Sequence, residues 1–135
     1  MADLLVPAWP APANVRALQT LRTGGCSPAP WDSFNLGDHV GDSPVSIAAN
    51  RAKLRALLPG QPIWLQQVHG ITAVDADFST NLPVADAAIA RQPGKVCVVM
   101  TADCLPVLLC DRAGTVVAAA HAGWRGLLAG VLEAT

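Results

Sequence analysis

Short apolar segments separated by polar turns dominate the chain beyond Gly60. Their length and their β-branched content predict strands, several of them apolar on both faces. The predicted strands cover residues 63–68, 71–74, 85–90, 96–101, 105–110 and 115–120. No internal repeat or low-complexity linker is visible, so the pattern predicts a single domain over residues 1–135, a sandwich of α/β or α+β type.

Two segments have helical periodicity instead. In the first, Ser43 can cap a helix, Pro44 fits its first position, and Pro59-Gly60 ends it. An apolar stripe supports this helix: Ile47, Arg51, Leu54 and Leu58. The second, "GWRGLLAGVLEAT", places four apolar residues on one face: Leu127, Leu128, Val131 and Leu132. It reaches Thr135 without a glycine cap or a proline, so we expect an N-terminal portion of a longer domain whose last helix is poorly covered.

Composition narrows the classes of function. Hydrophobic residues make up 52% of the 135 residues and charged residues 14%, against ~25% charged in ordinary soluble domains. A net charge of −1 without a long basic run argues against nucleic acid or an anionic membrane as partner. No apolar stretch approaches the ~20 residues of a membrane span. The start lacks a secretory signal, and four unevenly spaced cysteines form no CxxC pair, which favours the cytoplasm.

Three side chains that can bind metals follow predicted strands. His69 follows "IWLQQV", Cys104 follows "VCVVMTAD", and His121 follows "TVVAAA". Sheets often present functional groups on the loops at strand ends. Thiolate and imidazole suit zinc, and three protein ligands with an open fourth position are typical of catalytic zinc. Because the three are far apart in sequence, a buried free thiol and two loop histidines stay open as the alternative.

The segment "HAGWRG", residues 121–126, joins a predicted strand to a predicted helix. A glycine-rich helix start directs backbone N–H groups and the positive end of the helix dipole at its neighbour, which favours an anion. Arg125 can add a bidentate grip on phosphate or carboxylate. The alternative is that Gly123 and Gly126 permit close packing and Arg125 faces solvent.

Several of these motifs occur together, in order from about Arg22 to Glu133: "RTGGCS", "SFNLGDHVGD", "QQVHG", "TADCLPVLL" and "AAAHAGWRGLLAGVLE". The chain thereby resembles the YfiH-type family, also called the laccase-domain or multicopper polyphenol oxidoreductase-like family. That family includes purine nucleoside phosphorylases with adenosine deaminase activity. The resemblance implies a mixed-sheet α/β sandwich that is incomplete at its C-terminus, since family members are considerably longer. It also implies zinc held by His69, Cys104 and His121.

The resemblance extends to the long loop over residues 22–42. Arg22, Asn35 and His39 match family positions there, which implies contact with substrate or phosphate. For Asn35 the alternative is a turn hydrogen bond within the loop, a frequent role of asparagine. Asp103 either orients a ligand imidazole or accepts backbone N–H bonds in its turn, and we favour the turn.

The remaining cysteines are interpreted as packing residues. The family commonly has an aliphatic residue at Cys26, and Cys97 and Cys110 lie within apolar runs. Buried cysteines usually behave as small hydrophobes. Trp124 is likewise expected to pack against its helix.

Three functions follow. The first, which the resemblance implies, is zinc-dependent chemistry on purine nucleosides, with water attacking C6 of adenosine or phosphate attacking the ribose C1′. It would make the protein a transferase and hydrolase with small-molecule substrates. The second is copper-dependent oxidation of phenols, which wants an axial Met and more than the three histidines present. The third is a cysteine hydrolase, with Cys104 as nucleophile and His69 or His121 as base, suited to peptidoglycan-precursor editing. A non-enzymatic metal-binding fold, the physiological substrate and the oligomeric state are left open.

Overall fold

The computed structural model describes residues 2–135, which divide into two compact units. The first unit takes in the chain up to Pro10 together with Arg16–Leu58. The second consists of Ala11–Val15 and Pro59–Thr135. A single domain over residues 1–135 therefore stays a prediction. None of the helices that the structure describes has the length and apolarity needed to cross a membrane.

The first unit contains one helix and a small sheet. Strands β1 (Leu4–Leu5) and β2 (Gln19–Thr20) pair antiparallel, and α1 spans Pro44–Arg55. The predicted helix is confirmed, with proline in its first turn, which tolerates the missing N–H. Ser43 occupies the N-cap position without a side-chain hydrogen bond, and the helix ends at Arg55, earlier than predicted.

Asn50, on the buried face of α1, organises the long loop that precedes the helix. Its Nδ2 donates to Ser27 Oγ and to the backbone carbonyl of Asn35, both at 2.9 Å, and its Oδ1 accepts from the backbone N–H of Cys26 at 3.0 Å. The Asn50 side chain is fully buried. Buried amides need such partners, so these hydrogen bonds stabilise the loop conformation.

The second unit is built on a mixed four-stranded sheet in the order β4-β5-β8-β7. These strands are β4 (Ala73–Asp75), β5 (Ala87–Ala90), β7 (Leu105–Cys110) and β8 (Val117–Ala122). Strands β4 and β5 are parallel, and the other two pairs are antiparallel. A separate parallel pair joins β3 (Pro62–Ile63) to β6 (Val96–Cys97). The mixed α/β fold is confirmed.

Alanines fill the centre of the sheet because both of its faces are covered. Along β5, Ala88 and Ala90 belong to one buried cluster and Ala87 to another. Since side chains alternate between the two faces of a strand, the clusters lie on opposite sides of the sheet. One also contains Leu65, and the other contains Val131. The prediction of strands that are apolar on both faces is thus confirmed for β5.

Each predicted strand segment contains an observed strand, but several are shorter. Segments 63–68 and 96–101 form strands only at their beginnings, as β3 and β6. The prediction that His121 follows its strand is wrong, because β8 continues through Ala122 and His121 lies within it. The backbone of His121 is consequently held by its pairing with Pro106 of β7 and by its N–H, which donates to the Asp86 carbonyl at 2.7 Å.

The C-terminal segment forms two short helices rather than the single one predicted. Helix α2 spans Trp124–Ala129 and α3 spans Val131–Ala134, with Gly130 between them at φ 105°. Glycine adopts this left-handed conformation readily, and it ends α2. Leu128 is 82% exposed, as predicted, whereas Val131 is fully buried, contrary to the prediction.

Candidate metal centre

Three predicted ligands converge in the second unit. The metal-binding atoms of His69, Cys104 and His121 all lie within 4.8 Å of one another. Cys104 Sγ is 3.8 Å from His69 Nε2, and the two imidazole ring centroids are 4.8 Å apart. We refer to these three residues as the His–Cys–His cluster. The three side chains therefore lie together, and the alternative of a buried free thiol and two loop histidines without an ion stays open.

Strand pairing explains how Cys104 reaches the cluster. In the antiparallel pair β7–β8, Leu105 faces Ala122, so the preceding Cys104 meets the following Gly123. A Cβ on Gly123 would lie 3.0 Å from Cys104 Sγ and 3.2 Å from His69 Cδ2. Glycine at this position therefore leaves the space in which the ligand side chains approach one another.

Asp86 contacts both of the other segments that carry residues of the cluster, those of His69 and His121. Its carboxylate accepts backbone N–H bonds from Val68, His69 and Gly70 at 2.9–3.0 Å. The same carboxylate lies 2.7 Å from Nδ1 of His121. Burial raises the pKa of Asp86, but the hydrogen bonds with His121 and the three N–H groups outweigh it, and the net pKa lies below its ordinary value.

The geometry of the cluster fits a tetrahedrally coordinated ion. Zn–S bonds of ~2.3 Å and Zn–N bonds of ~2.0 Å place sulfur and nitrogen about 3.5 Å apart in a tetrahedron, close to the 3.8 Å between Cys104 and His69. Because Nδ1 of His121 faces Asp86, its Nε2 is the ligand atom that stays available. His69 is exposed, so one side of the cluster is open to a small molecule.

The other predicted contact residues have partners of their own or face solvent. Arg22 and Asn35 belong to the first unit, where Arg22 Nε donates to the Asp32 carbonyl at 2.8 Å. Asn35 Oδ1 accepts from the Gly37 N–H at 3.0 Å, the turn hydrogen bond considered as its alternative role. His39, also in the first unit, is exposed beside Asp38. Their predicted contacts with substrate stay predictions.

Arg125 and Trp124 both face solvent at the start of α2. The Arg125 guanidinium lies 5.2 Å from the centroid of the Trp124 ring. The expectation that Trp124 packs against its helix is wrong, because it is 71% exposed. A phosphate contact of Arg125 stays a prediction.

Two cysteines confirm the packing interpretation and one does not. Cys97 and Cys110 are half-buried, as small apolar side chains in strands often are. Cys26 is exposed. Its interpretation as a packing residue is wrong, because its side chain lies at the surface, where Sγ lies 3.6 Å from the Ser46 carbonyl and 3.4 Å from Asn50 Oδ1.

Asp86 was not among the residues predicted from the sequence, in which Asp103 was the acid considered for orienting a ligand imidazole. Asp103 is exposed, and no described ligand imidazole contacts it. A signal for Asp86 was present, since it is the lone acid within the apolar segment 85–90. A buried carboxylate beside a strand needs strong partners, and its partners are the segments that carry His69 and His121.

Fold and cluster together define a mixed α/β protein with a three-ligand centre able to hold a metal ion. The family model described as multi-copper polyphenol oxidoreductase laccase matches residues 16–135. The chain belongs to this family, and its resemblance to the YfiH group is confirmed.

Two relatives and one solved structure are similar to this chain over nearly its whole length. The chain is 61% identical to a Pseudomonas aeruginosa protein named purine nucleoside phosphorylase PA4543, over 97% of this chain and 54% of that protein. It is 55% identical to the Escherichia coli purine nucleoside phosphorylase YfiH, over 100% of this chain and 57% of that protein. The crystal structure of the Neisseria meningitidis protein NMB0706 superposes with a TM-score of 0.93 at 50% identity, covering 96% of this chain and 54% of that chain. The chain thus spans about half the length of these relatives.

Proposed function

We propose that the chain carries the centre of a zinc-dependent enzyme that acts on purine nucleosides, with phosphate or water as the nucleophile. The observation that carries the proposal is the convergence of His69, Cys104 and His121. Two imidazoles and a thiolate form a donor set that suits zinc. The names of the Pseudomonas and Escherichia relatives supply the substrate class.

Within this proposal, each residue of the chain has a distinct task. Cys104 and the two histidines hold the ion, and Asp86 keeps the Nε2 lone pair of His121 directed at it. A zinc ion bound there supplies Lewis-acid chemistry that makes water a nucleophile at neutral pH. The exposed His69 side of the cluster gives a nucleoside access.

Arg125 is the residue that we assign to phosphate. It is exposed and lies two residues beyond Gly123, whose Cα borders the ligands. A guanidinium there can bind two phosphate oxygens and present a third to the ribose C1′. Attack at C1′ breaks the N-glycosidic bond and yields ribose 1-phosphate and the free base. Arg22, Asn35 and His39 are proposed as further contacts from the long loop.

A cysteine hydrolase is the second candidate, because the Cys104 thiol lies 3.8 Å from His69 Nε2. A nearby imidazole can take the proton of a nucleophilic thiol. Copper in place of zinc fits the same donor atoms and the description of the family. The identity of the bound metal and the reactivity of the Cys104 thiol are therefore what experiments must determine.

Metal content and activity in the same preparations test the proposal. In protein expressed from its natural reading frame, we expect near one zinc per chain, and markedly less in Cys104→Ser, His69→Ala and His121→Ala. Adenosine or inosine with phosphate should be converted, and chelation should abolish turnover until zinc is restored. Full turnover in rigorously metal-free protein, with rapid alkylation of Cys104, would instead contradict the zinc proposal and favour the cysteine hydrolase.

The phosphate contact has its own matched control. Arg125→Ala should raise the KM for phosphate and leave zinc content unchanged, because Arg125 is not a ligand. Arg112, which is also exposed, provides the control substitution Arg112→Ala, for which no change in KM is expected. An unchanged phosphate dependence in Arg125→Ala would remove Arg125 from the site.

A further inference from the structure

We infer that Asp86 is a positioning residue of the metal centre. Its carboxylate determines both the backbone conformation around His69 and the tautomer of the His121 ring. The inference rests on the proposed metal-dependent function. It goes further by assigning a task to a residue that binds no metal itself. Among the described residues, Asp86 is the only carboxylate that contacts two members of the His–Cys–His cluster, His69 and His121.

Each of the two carboxylate oxygens of Asp86 has two polar N–H or imidazole contacts. Oδ1 accepts from Val68 N at 3.0 Å and from Gly70 N at 2.9 Å. Oδ2 accepts from His69 N at 2.9 Å and lies 2.7 Å from His121 Nδ1. A carboxylate offers about four acceptor positions. Because Asp86 is fully buried, no water competes for them.

The turn at His69 requires such an acceptor. His69 has a φ of 59°, in the left-handed region that residues other than glycine seldom adopt. This conformation directs three consecutive backbone N–H groups, from Val68 to Gly70, toward one point. Asp86 occupies that point. Without the Asp86 side chain these N–H groups would lose their acceptor, and the turn that presents His69 would lose its support.

The ring of His121 depends on the same carboxylate. An ionised carboxylate can only accept, so a neutral His121 beside it must carry its proton on Nδ1. The Nε2 lone pair is then free for a metal. Carboxylate–histidine pairs of this kind fix ring orientation and increase ligand basicity. A purely structural carboxylate would support the turn without determining where the imidazole proton resides.

Asp86→Asn changes the ring and part of the turn. The asparagine carbonyl can still accept from Val68 and Gly70, but its NH2 group would take the place of Oδ2, where it removes the acceptor of the His69 N–H and donates to His121 Nδ1. The neutral ring would then carry its proton on Nε2, the nitrogen required as ligand. We expect zinc affinity, measured by competition with a chromogenic chelator, to fall about 10- to 100-fold.

Asp77→Asn is the matched control. Asp77 also accepts backbone N–H bonds in the second unit, from Arg91 at 3.0 Å and Gln92 at 3.2 Å, and no described hydrogen bond joins it to the cluster. Its substitution should leave zinc affinity within about twofold of wild type. An Asp86→Asn variant that folds and binds zinc as tightly as Asp77→Asn would overturn the inference.

A second measurement needs no metal and reads the imidazole of the wild-type protein directly. In metal-free wild-type protein near pH 8, nitrogen-15 NMR should show His121 with its proton on Nδ1; the signal is assigned by its loss in His121→Ala. A proton on Nε2 would contradict the inference even if zinc binds. If wild-type protein binds no zinc while His121 is protonated on Nδ1, the proposed function fails and the pairing of Asp86 with His121 stands. The two failures are therefore distinguishable.

Discussion

Gln67 and Met100 are joined through both ends of one side-chain amide. Gln67 Nε2 donates to the Met100 carbonyl at 2.8 Å, and the Met100 N–H donates to Gln67 Oε1 at 2.7 Å. Gln67 lies two residues before His69, and Met100 lies four residues before Cys104. The pair therefore connects the two loops that carry the first two ligands of the His–Cys–His cluster.

Removing this amide should loosen both loops. Gln67→Ala deletes two hydrogen bonds and leaves the Met100 N–H and carbonyl without those partners, which should lower the free energy of unfolding by roughly 1–3 kcal/mol. Zinc affinity should fall as well, because the ligand loops are less constrained. Urea denaturation and chelator competition measure the two effects. Gln66→Ala is the control, since the neighbouring Gln66 is exposed and should tolerate the change.

Gly123 should not accept a side chain. The backbone of Gly123, at φ −68° and ψ 166°, suits any residue, so Gly123→Ala introduces no backbone strain. Its methyl group would however meet Cys104 Sγ at 3.0 Å and His69 Cδ2 at 3.2 Å. Overpacking of this kind costs about 1–3 kcal/mol, which corresponds to roughly 5- to 150-fold in zinc affinity if the ligands are displaced.

Gly70→Ala is the matched control for that substitution. A Cβ on Gly70 would make only ordinary contacts, 3.6 Å from Asp86 Oδ1 and from Val68 Cγ2. Zinc affinity in Gly70→Ala should therefore stay close to that of wild type. If isothermal titration finds Gly123→Ala equally unaffected, the ion does not bind between Cys104 and His69.

The sequence was sufficient to predict most of the strands, because an apolar run between polar turns is a local pattern. The assignment of the three candidate ligands as one set depended instead on the resemblance to the family. Strand β7 occupies residues 105–110 as predicted, since its apolar run is bounded by Asp103 and Asp111. The segment 96–101 is different. Its apolar pattern predicted a strand throughout, but at Met100 the side chain of Gln67 takes the backbone groups that a neighbouring strand would otherwise bind.

The features that could not be predicted from the sequence depend on contacts between residues that are far apart along the chain. Asp86 and His121 are separated by 35 positions, and only the pairing of β5 with β8 brings them together. Asp103 was considered as the orienting carboxylate because it adjoins Cys104 in sequence. Both residues lie in a bend before β7, where Asp103 is exposed and Cys104 is half-buried, so proximity in sequence was misleading there. The interruption at Gly130 likewise depends on the buried position of Val131, which periodicity alone does not reveal.

The C-terminal helices should contribute unequally to stability. Val131 is fully buried against the sheet, whereas Leu128 is 82% exposed. Val131→Ala should lower the free energy of unfolding by roughly 1–3 kcal/mol through lost burial and a cavity, and Leu128→Ala should change it by about 0.5 kcal/mol or less. Urea denaturation of the two variants gives the comparison. A cost for Leu128→Ala as large as that for Val131→Ala would mean that further protein covers Leu128 in solution.

Cys97 and Cys26 differ in their surroundings. Burial raises the pKa of the Cys97 thiol from 9.0 to about 12, and the negative charges of Asp77 and Asp75 add to the shift. Cys26, in contrast, is exposed. Because the thiolate is the reactive form, iodoacetamide at about pH 8 should modify Cys26 well before Cys97 in folded protein. Peptide mass mapping with time reports the order, and rapid labelling of Cys97 under these conditions would contradict its burial.

The same shift predicts how stability depends on pH. A raised pKa in the folded state means that the folded protein holds the Cys97 proton more tightly than the unfolded chain does. The stabilisation is complete below pH 9.0 and is lost as the pH rises toward about 12. At about pH 10.5 the wild-type protein should have lost about 2 kcal/mol more, relative to pH 8, than Cys97→Ala loses over the same interval. Urea denaturation under reducing conditions measures this difference, in which other alkaline titrations cancel. Equal losses in the two proteins would show that the Cys97 thiol ionises as readily in the folded state as in the unfolded one.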